Sequence, residues 1–168
     1  VTTWTAPAVT RPSGSLSAPE SELLPSLLDW HRSTFLFKCA GLTGSQLALA
    51  SVGESNLSLL GLIRHLSKVE RIWFRERFRG EPIERLHSTV EHKDADFEVL
   101  DPALASRDYA VLLEEQEAAR LAAAGASMDD MAGEYSLRFI HVHMIGEYAR
   151  HNGHADLIRQ GVDGVTGA

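Results

Sequence analysis

The chain has a single cysteine, Cys39, among 168 residues. One thiol excludes an intramolecular disulfide and any zinc site built on several cysteines. It is compatible with a reducing cytosol, and a cytoplasmic protein is expected on that ground. Basic residues are also short. Lys and Arg number 16 against 23 Asp and Glu, a formal net charge of −7. Gripping a nucleic-acid backbone needs a basic footprint, so no nucleic-acid partner is expected. No apolar run approaches the roughly 20 residues of a membrane span, and no membrane association is expected. A charged segment followed by an apolar one is missing from the start of the chain, so no signal peptide is expected. What remains is an ordinary globular composition, 44% hydrophobic and 23% charged. The length suits one domain with a core of its own.

Residues 1–19 carry Pro7, Pro12 and Pro19 among Ser, Thr and Ala. This composition predicts a flexible N-terminal arm, with the domain over 20–168. Trp4 within the arm can dock on the body or on a second subunit. Four helices follow. The first is expected over 21–40, with Leu24, Leu27, Leu28, His31 and Phe35 on one face, Pro25 in its first turn and Gly41 at its end. The second spans 58–79, with a stripe of Leu59, Leu62, Leu66, Val69 and Trp73. The third spans 108–124, with Tyr109, Leu112, Leu113, Gln116 and Ala119. The fourth starts at Ser136, a good N-cap, and ends near Gln160-Gly161. The connection over 81–107 has no helical period, and such long connections are often lids or crossovers. Four amphipathic helices with one long connection point to an all-α four-helix bundle.

Glu147 and His151 lie one turn apart in Gly146-Glu147-Tyr148-Ala149-Arg150-His151-Asn152-Gly153-His154. They share a stripe with Leu137, Ile140 and Met144, continued by His154 or Ala155 and then Ile158. An acid and an imidazole on an apolar face must be paired, bound or functional, because burying either alone is costly. The bland alternative is a hydrogen-bonded pair without metal. Imidazole and carboxylate are also what Zn²⁺ and similar ions take as ligands. His65 shares the inner face of the second helix with Leu62 and Val69. It completes a two-His, one-carboxylate set that leaves a coordination position open, as in catalytic sites. His143, four before Glu147, is an alternative ligand, as is His154; His141 turns away. Glu70 is expected to form an ion pair, and Cys39 to pack as a small hydrophobe. His87 and His92 are expected in solvent. Arg71, Arg75, Arg77 and Arg79 form a solvated face or, alternatively, a docking patch for an anionic ligand.

The run Ser58-Leu59-Leu60-Gly61-Leu62-Ile63-Arg64-His65-Leu66, with Val69-Glu70-Arg71 and Trp73-Phe74, resembles the second helix of the DinB-like superfamily. The run His143-Met144-Ile145-Gly146-Glu147-Tyr148-Ala149-Arg150-His151-Asn152-Gly153-His154 resembles its fourth. Asp29-Trp30-His31-Arg32 and Lys38-Cys39-Ala40-Gly41-Leu42 are similar to the first helix and its exit. The likeness extends over about residues 20–165 and is weak between 81 and 130. It implies a bundle of the DinB/YfiT-like type with a long connection between helices 2 and 3. A divalent metal would sit at one end, held by His65, Glu147 and His151. Many members have His where this chain has Glu147. The Glu sides with an actinobacterial branch once filed as a domain of unknown function, which resembles mycothiol-dependent maleylpyruvate isomerase and mycothiol S-transferases. Gly146 departs from the pattern, where an acidic residue is expected, and would make room near the site.

That branch implies a mechanism. A low-molecular-weight thiol, mycothiol in actinobacteria, binds the metal through sulfur as a thiolate. It attacks a small-molecule electrophile: an epoxide, an activated alkene, an alkyl halide or a conjugated double bond. His154 would relay protons or orient a ligand, and His31 would line the same pocket. Two other functions keep the same ligands. One is a metal-dependent hydrolase or natural-product tailoring enzyme that uses no thiol; the other is a non-catalytic metal-binding stress protein. The ligand set favours Zn²⁺ and is compatible with Ni²⁺, Fe²⁺ or Mn²⁺. Exposed apolar edges of such bundles leave a homodimer open.

Overall fold

A computed structural model of the chain describes residues 3–167. Among these residues the architecture is all-α apart from one small hairpin. Helix α1 is Glu20–Cys39, α2 is Gly44–Leu47, α3 is Leu59–Glu70, α4 is Ala95–Glu98, α5 is Ala105–Ala123 and α6 is Leu137–Asp163. Helix α3 runs on into a π-helix over Arg71–Phe78, and a 3₁₀ turn, Pro102–Leu104, leads into α5. Strands β1 (Met131–Ala132) and β2 (Tyr135–Ser136) pair antiparallel, with Met131 opposite Ser136. The four long helices are those expected from the apolar spacing. Helix α1 packs along α6 and α3 along α5, and α3 also meets α6. Leu28, Phe35, Leu59, Leu62, Leu66, Leu112, Ile140 and Met144 fill the space between them. Burial of each such side chain contributes about 1.5–3 kcal/mol.

Local chemistry sets the helix ends. The Ser136 hydroxyl accepts from the Phe139 N–H at 3.1 Å, and Ser58 accepts from Gly61 N–H at 3.1 Å. Each cap is worth about 1 kcal/mol. Pro25 lies in the second turn of α1, not the first, because the helix already begins at Glu20. Helix α6 passes through Gly161 and stops at Gly164, whose φ of 78° is the left-handed cap. Gly161 serves packing instead. A Cβ there would lie 2.6 Å from Ser51 Oγ, and that hydroxyl donates to the Ile158 carbonyl at 2.7 Å. Two residues leave their expected stripes: Leu27 and Leu113 are exposed.

One residue from each long helix joins a buried polar network. Arg32 of α1 donates Nε and Nη2 to the two oxygens of Glu70 of α3, both at 2.7 Å. The Tyr148 hydroxyl of α6 donates to Glu70 at 2.8 Å, and Gln116 of α5 donates to Tyr148 at 3.0 Å. Glu70 forms the expected ion pair, with no exposure to water. The pairing is bidentate, the geometry that best offsets the cost of burying two charges.

The segment before α1 lies on the bundle. Thr5 bridges to Thr43, Ala6 N–H donates to Leu42 O at 2.9 Å and Gly41 N–H to Ala6 O at 2.8 Å. Trp4 packs edge-on against Tyr109 of α5, and Arg11 lies over Trp30 and Phe37 of α1. Among the described residues no helix is long and apolar enough to cross a membrane.

Candidate metal centre

Helix α6 places Glu147 and His151 one turn apart, and α3 brings His65 to face them. The ligand-type atoms of these three residues all lie within 4.8 Å of one another. His151 Nε2 is 3.3 Å and His65 Nε2 3.8 Å from the same Glu147 oxygen, Oε2. Two bonds of about 2.0–2.2 Å meeting at the tetrahedral angle span about 3.4 Å, so these separations are near those of a shared ion. The histidine rings meet edge to face, with centroids 4.7 Å apart.

The outer nitrogens are held as well. His65 Nδ1 lies 3.0 Å from Asp96 Oδ2. A carboxylate only accepts, so His65 carries a proton on Nδ1, and Nε2 is the nitrogen it would offer to an ion. Lys68 Nζ reaches the same Asp96 oxygen at 2.5 Å, and Arg64 donates to the backbone carbonyls of Ala95 and Asp96. Phe97 stacks on the His65 ring at 5.0 Å. It fits because residue 61 is glycine: a Cβ there would lie 3.1 Å from the Phe97 ring. On the other side, His151 Nδ1 meets His154 Nδ1 at 3.2 Å. One ring donates and the other accepts. If His151 donates, its Nε2 lone pair also faces Glu147.

Electrostatics follow the same lines. The neighbouring His151 and His65 rings hold the Glu147 carboxyl far below its usual range, against the effect of burial. Burial alone would lower the His65 pKa, but the hydrogen bond to Asp96 and the nearby Glu147 carboxylate outweigh it and the net direction is up. Burial alone would raise the Asp96 pKa, but His65 and Lys68 more than reverse it. Asp96 is thus a buried carboxylate anion. Without an ion, an imidazole can hold a second proton on Nε2 and donate it to Glu147. Metal binding would exchange that proton for a lone pair.

The other candidates fall in distinct places. His154 stands one contact outside the triad, and its pKa is lowered by burial and by the neighbouring His151 and Arg150. His31 packs edge-on against Trp30, with Nδ1 buried and unpartnered. Its link to α6 is through its backbone carbonyl, which accepts from Asn152 at 3.1 Å. His143 Nε2 lies 3.9 Å from Glu147 Oε1, so it stands beside the triad. His141 turns into the core, donating Nδ1–H to Leu137 O at 3.0 Å. His92 is exposed and paired with Glu98. His87, expected in solvent, is half-buried with Nε2 unpartnered and φ at 59°. Arg71 and Arg75 are not a free face. Both converge on buried Glu115, at 2.7 and 3.0 Å. Gly146 is exposed, and a Cβ there would meet nothing within 4 Å, so the glycine makes no room. Asp96 had no sequence signal, because it comes from the aperiodic connection.

A family model described as Mycothiol-S-transferase matches residues 23–164. No curated protein and no solved structure matches the chain.

Proposed function

Because the chain belongs to the mycothiol S-transferase family, we propose that it joins the thiol sulfur of mycothiol to a small electrophile, with a divalent ion held by His65, Glu147 and His151. The observation that carries the metal reading is the arrangement of the two imidazoles. Each turns Nε2 toward one carboxylate oxygen while its Nδ1 rests on a partner outside the triad. Metal-binding histidines are held in this way, by an acceptor on the far nitrogen. The donor set is borderline-soft and suits Zn²⁺ first.

A divalent ion bound there would supply the positive charge that keeps a thiol ionised at neutral pH. The chain does the rest. Asp96 and Phe97 fix the plane of His65, and His154 steadies His151. Glu147 brings one negative charge, so the site would keep a single net positive charge to attract a thiolate. In the transfer the S–H bond is lost and a C–S bond forms. A halide leaves, or an epoxide or alkene takes up the proton. His154 is the side chain placed to carry that proton, being a neutral, half-buried imidazole beside the triad. The chemistry suits a reducing compartment such as the cytosol, where free thiols persist.

Elemental analysis of the purified protein tests the ligand set. About one divalent ion per chain is expected, lost in both His65→Ala and Glu147→Ala. Metal-free wild type, or variants that keep the ion, would overturn the assignment. Metal-dependent turnover that ignores added thiol would move the chain to the thiol-independent enzymes.

A further inference from the structure

His143 stands one turn before Glu147 on α6 and links the triad to a second feature. Its ring lies 4.2 Å from Trp73 and 5.8 Å from Phe139, centroid to centroid. Trp73 meets Tyr135 at 5.2 Å, and Tyr135 stacks on Phe139 at 5.6 Å. Four rings, drawn from the π-helix, the hairpin and the start of α6, therefore make one continuous shelf that ends at Glu147. This shelf is not core. Phe139 is 45% exposed, and the other three are half-buried.

A cation lies on the shelf. The Arg77 guanidinium carbon is 4.1 Å from the Trp73 ring centroid and 5.4 Å from that of Tyr135. Arg71 and Arg75 are taken up by Glu115, whereas Arg77 is exposed and, among the described residues, makes no ion pair.

We propose that this shelf seats the electrophile, and that it favours planar conjugated molecules bearing a carboxylate or similar oxyanion. Aromatic faces take flat π-systems in offset or edge-on contact. A guanidinium lying flat on Trp73 keeps its N–H edge free for a planar oxyanion, which it can bind with two parallel hydrogen bonds. Because the shelf ends beside Glu147, a ring resting on it is next to where the sulfur would be held. Attack needs reacting atoms about 3–3.5 Å apart. A saturated molecule loses the aromatic contact, and a saturated neutral one gains neither. This inference rests on the transferase reading above, and the test separates the two.

Binding is measured first, by calorimetry on the metal-loaded protein. The probe is 3-nitrobenzoate, which is planar and anionic but has no leaving group. It is expected to bind more tightly than cyclohexanecarboxylate, and Arg77→Gln is expected to weaken it about fivefold or more. Arg77 is exposed, so this variant removes the charge without disturbing the core. Turnover follows with 4-chloro-3-nitrobenzoate and 1-chloro-2,4-dinitrobenzene, each with mycothiol. In both, the thiolate forms a C–S bond at the chlorine-bearing carbon and chloride leaves. The anionic-to-neutral ratio of kcat/KM is expected to fall about fivefold or more in Arg77→Gln. Equal binding of the flat and saturated acids, or no effect of Arg77→Gln, would overturn the shelf. So would a dimer in sedimentation that Phe139→Asp dissociates, because the shelf would then be covered by a second copy. Binding of 3-nitrobenzoate with no thiol transfer to any electrophile would sink the transferase reading and leave the shelf standing.

Discussion

At Asp96 a single carboxylate oxygen meets both an imidazole and an ammonium, shut away from water. Its effect on the triad is to hold His65 in one tautomer and one plane. Asp96→Asn can keep the shape but not the full negative charge. Metal affinity is expected to fall about 10–100-fold, measured by competition with a chromogenic chelator. Unchanged affinity would mean that the Phe97 ring alone aligns His65. The ligands themselves could be read in the sequence, because Glu147, His151 and His65 sit at helical spacing on apolar stripes. Asp96 could not. It reaches His65 across 31 residues of sequence, by a chain path that no local period encodes. Cys39 was legible too. It is fully buried, and desolvation pushes its thiol well above the ordinary range, so it is no rival to a small-molecule thiol.

Between elements, the Arg32–Glu70–Tyr148–Gln116 network ties α1, α3, α6 and α5 together. Glu70→Ala would leave the buried Arg32 guanidinium with only the half-buried Asp29 as a charged partner, at 2.9 Å, and is expected to cost about 3 kcal/mol in urea unfolding. Replacing both charges, as in Arg32→Met with Glu70→Leu, is expected to recover most of that loss, since no unpaired charge remains. A double variant as unstable as the single one would show that the hydrogen bonds from Tyr148 matter more than charge balance. The long helices were readable from their apolar period and from caps such as Ser136. The short pieces were not. Helix α2 is held by a capping box of Thr43 and Gln46. The two-residue strands of the hairpin are too short for a pattern to show. The π-helix after Glu70 has the same residues an α-helix would use, and its wider winding is a tertiary outcome.

For the molecule as a whole, pH enters through its buried imidazoles. Burial lowers the pKa of His141, as it does for His31. Both are neutral when folded, and both would titrate near 6.5 when unfolded. Below that pH the unfolded chain binds more protons, so stability falls as pH drops through 6.5 and keeps falling until the folded values are passed. His65 acts on the other side. Its raised pKa contributes stability that is present below 6.5 and lost as pH rises through its folded value. In the metal-free protein, His141→Asn should keep an N–H near Leu137 O and lose the titration. The melting temperature is then expected to decline less steeply just below pH 6.5 than in wild type. An unchanged slope would assign the acid sensitivity to His31 or to other groups.

The segment ahead of α1 bears on a different question, that of how far the folded body extends past the stretch matched to the family. Kinship with the family is written over 23–164. The packing starts earlier, with Trp4 on Tyr109 and Ala6 bonded into the turn at Gly41 and Leu42. A gene trimmed to the matched stretch would encode a body with that turn unpaired and Tyr109 uncovered. The folded body reaches beyond the matched stretch, and it includes Ala6.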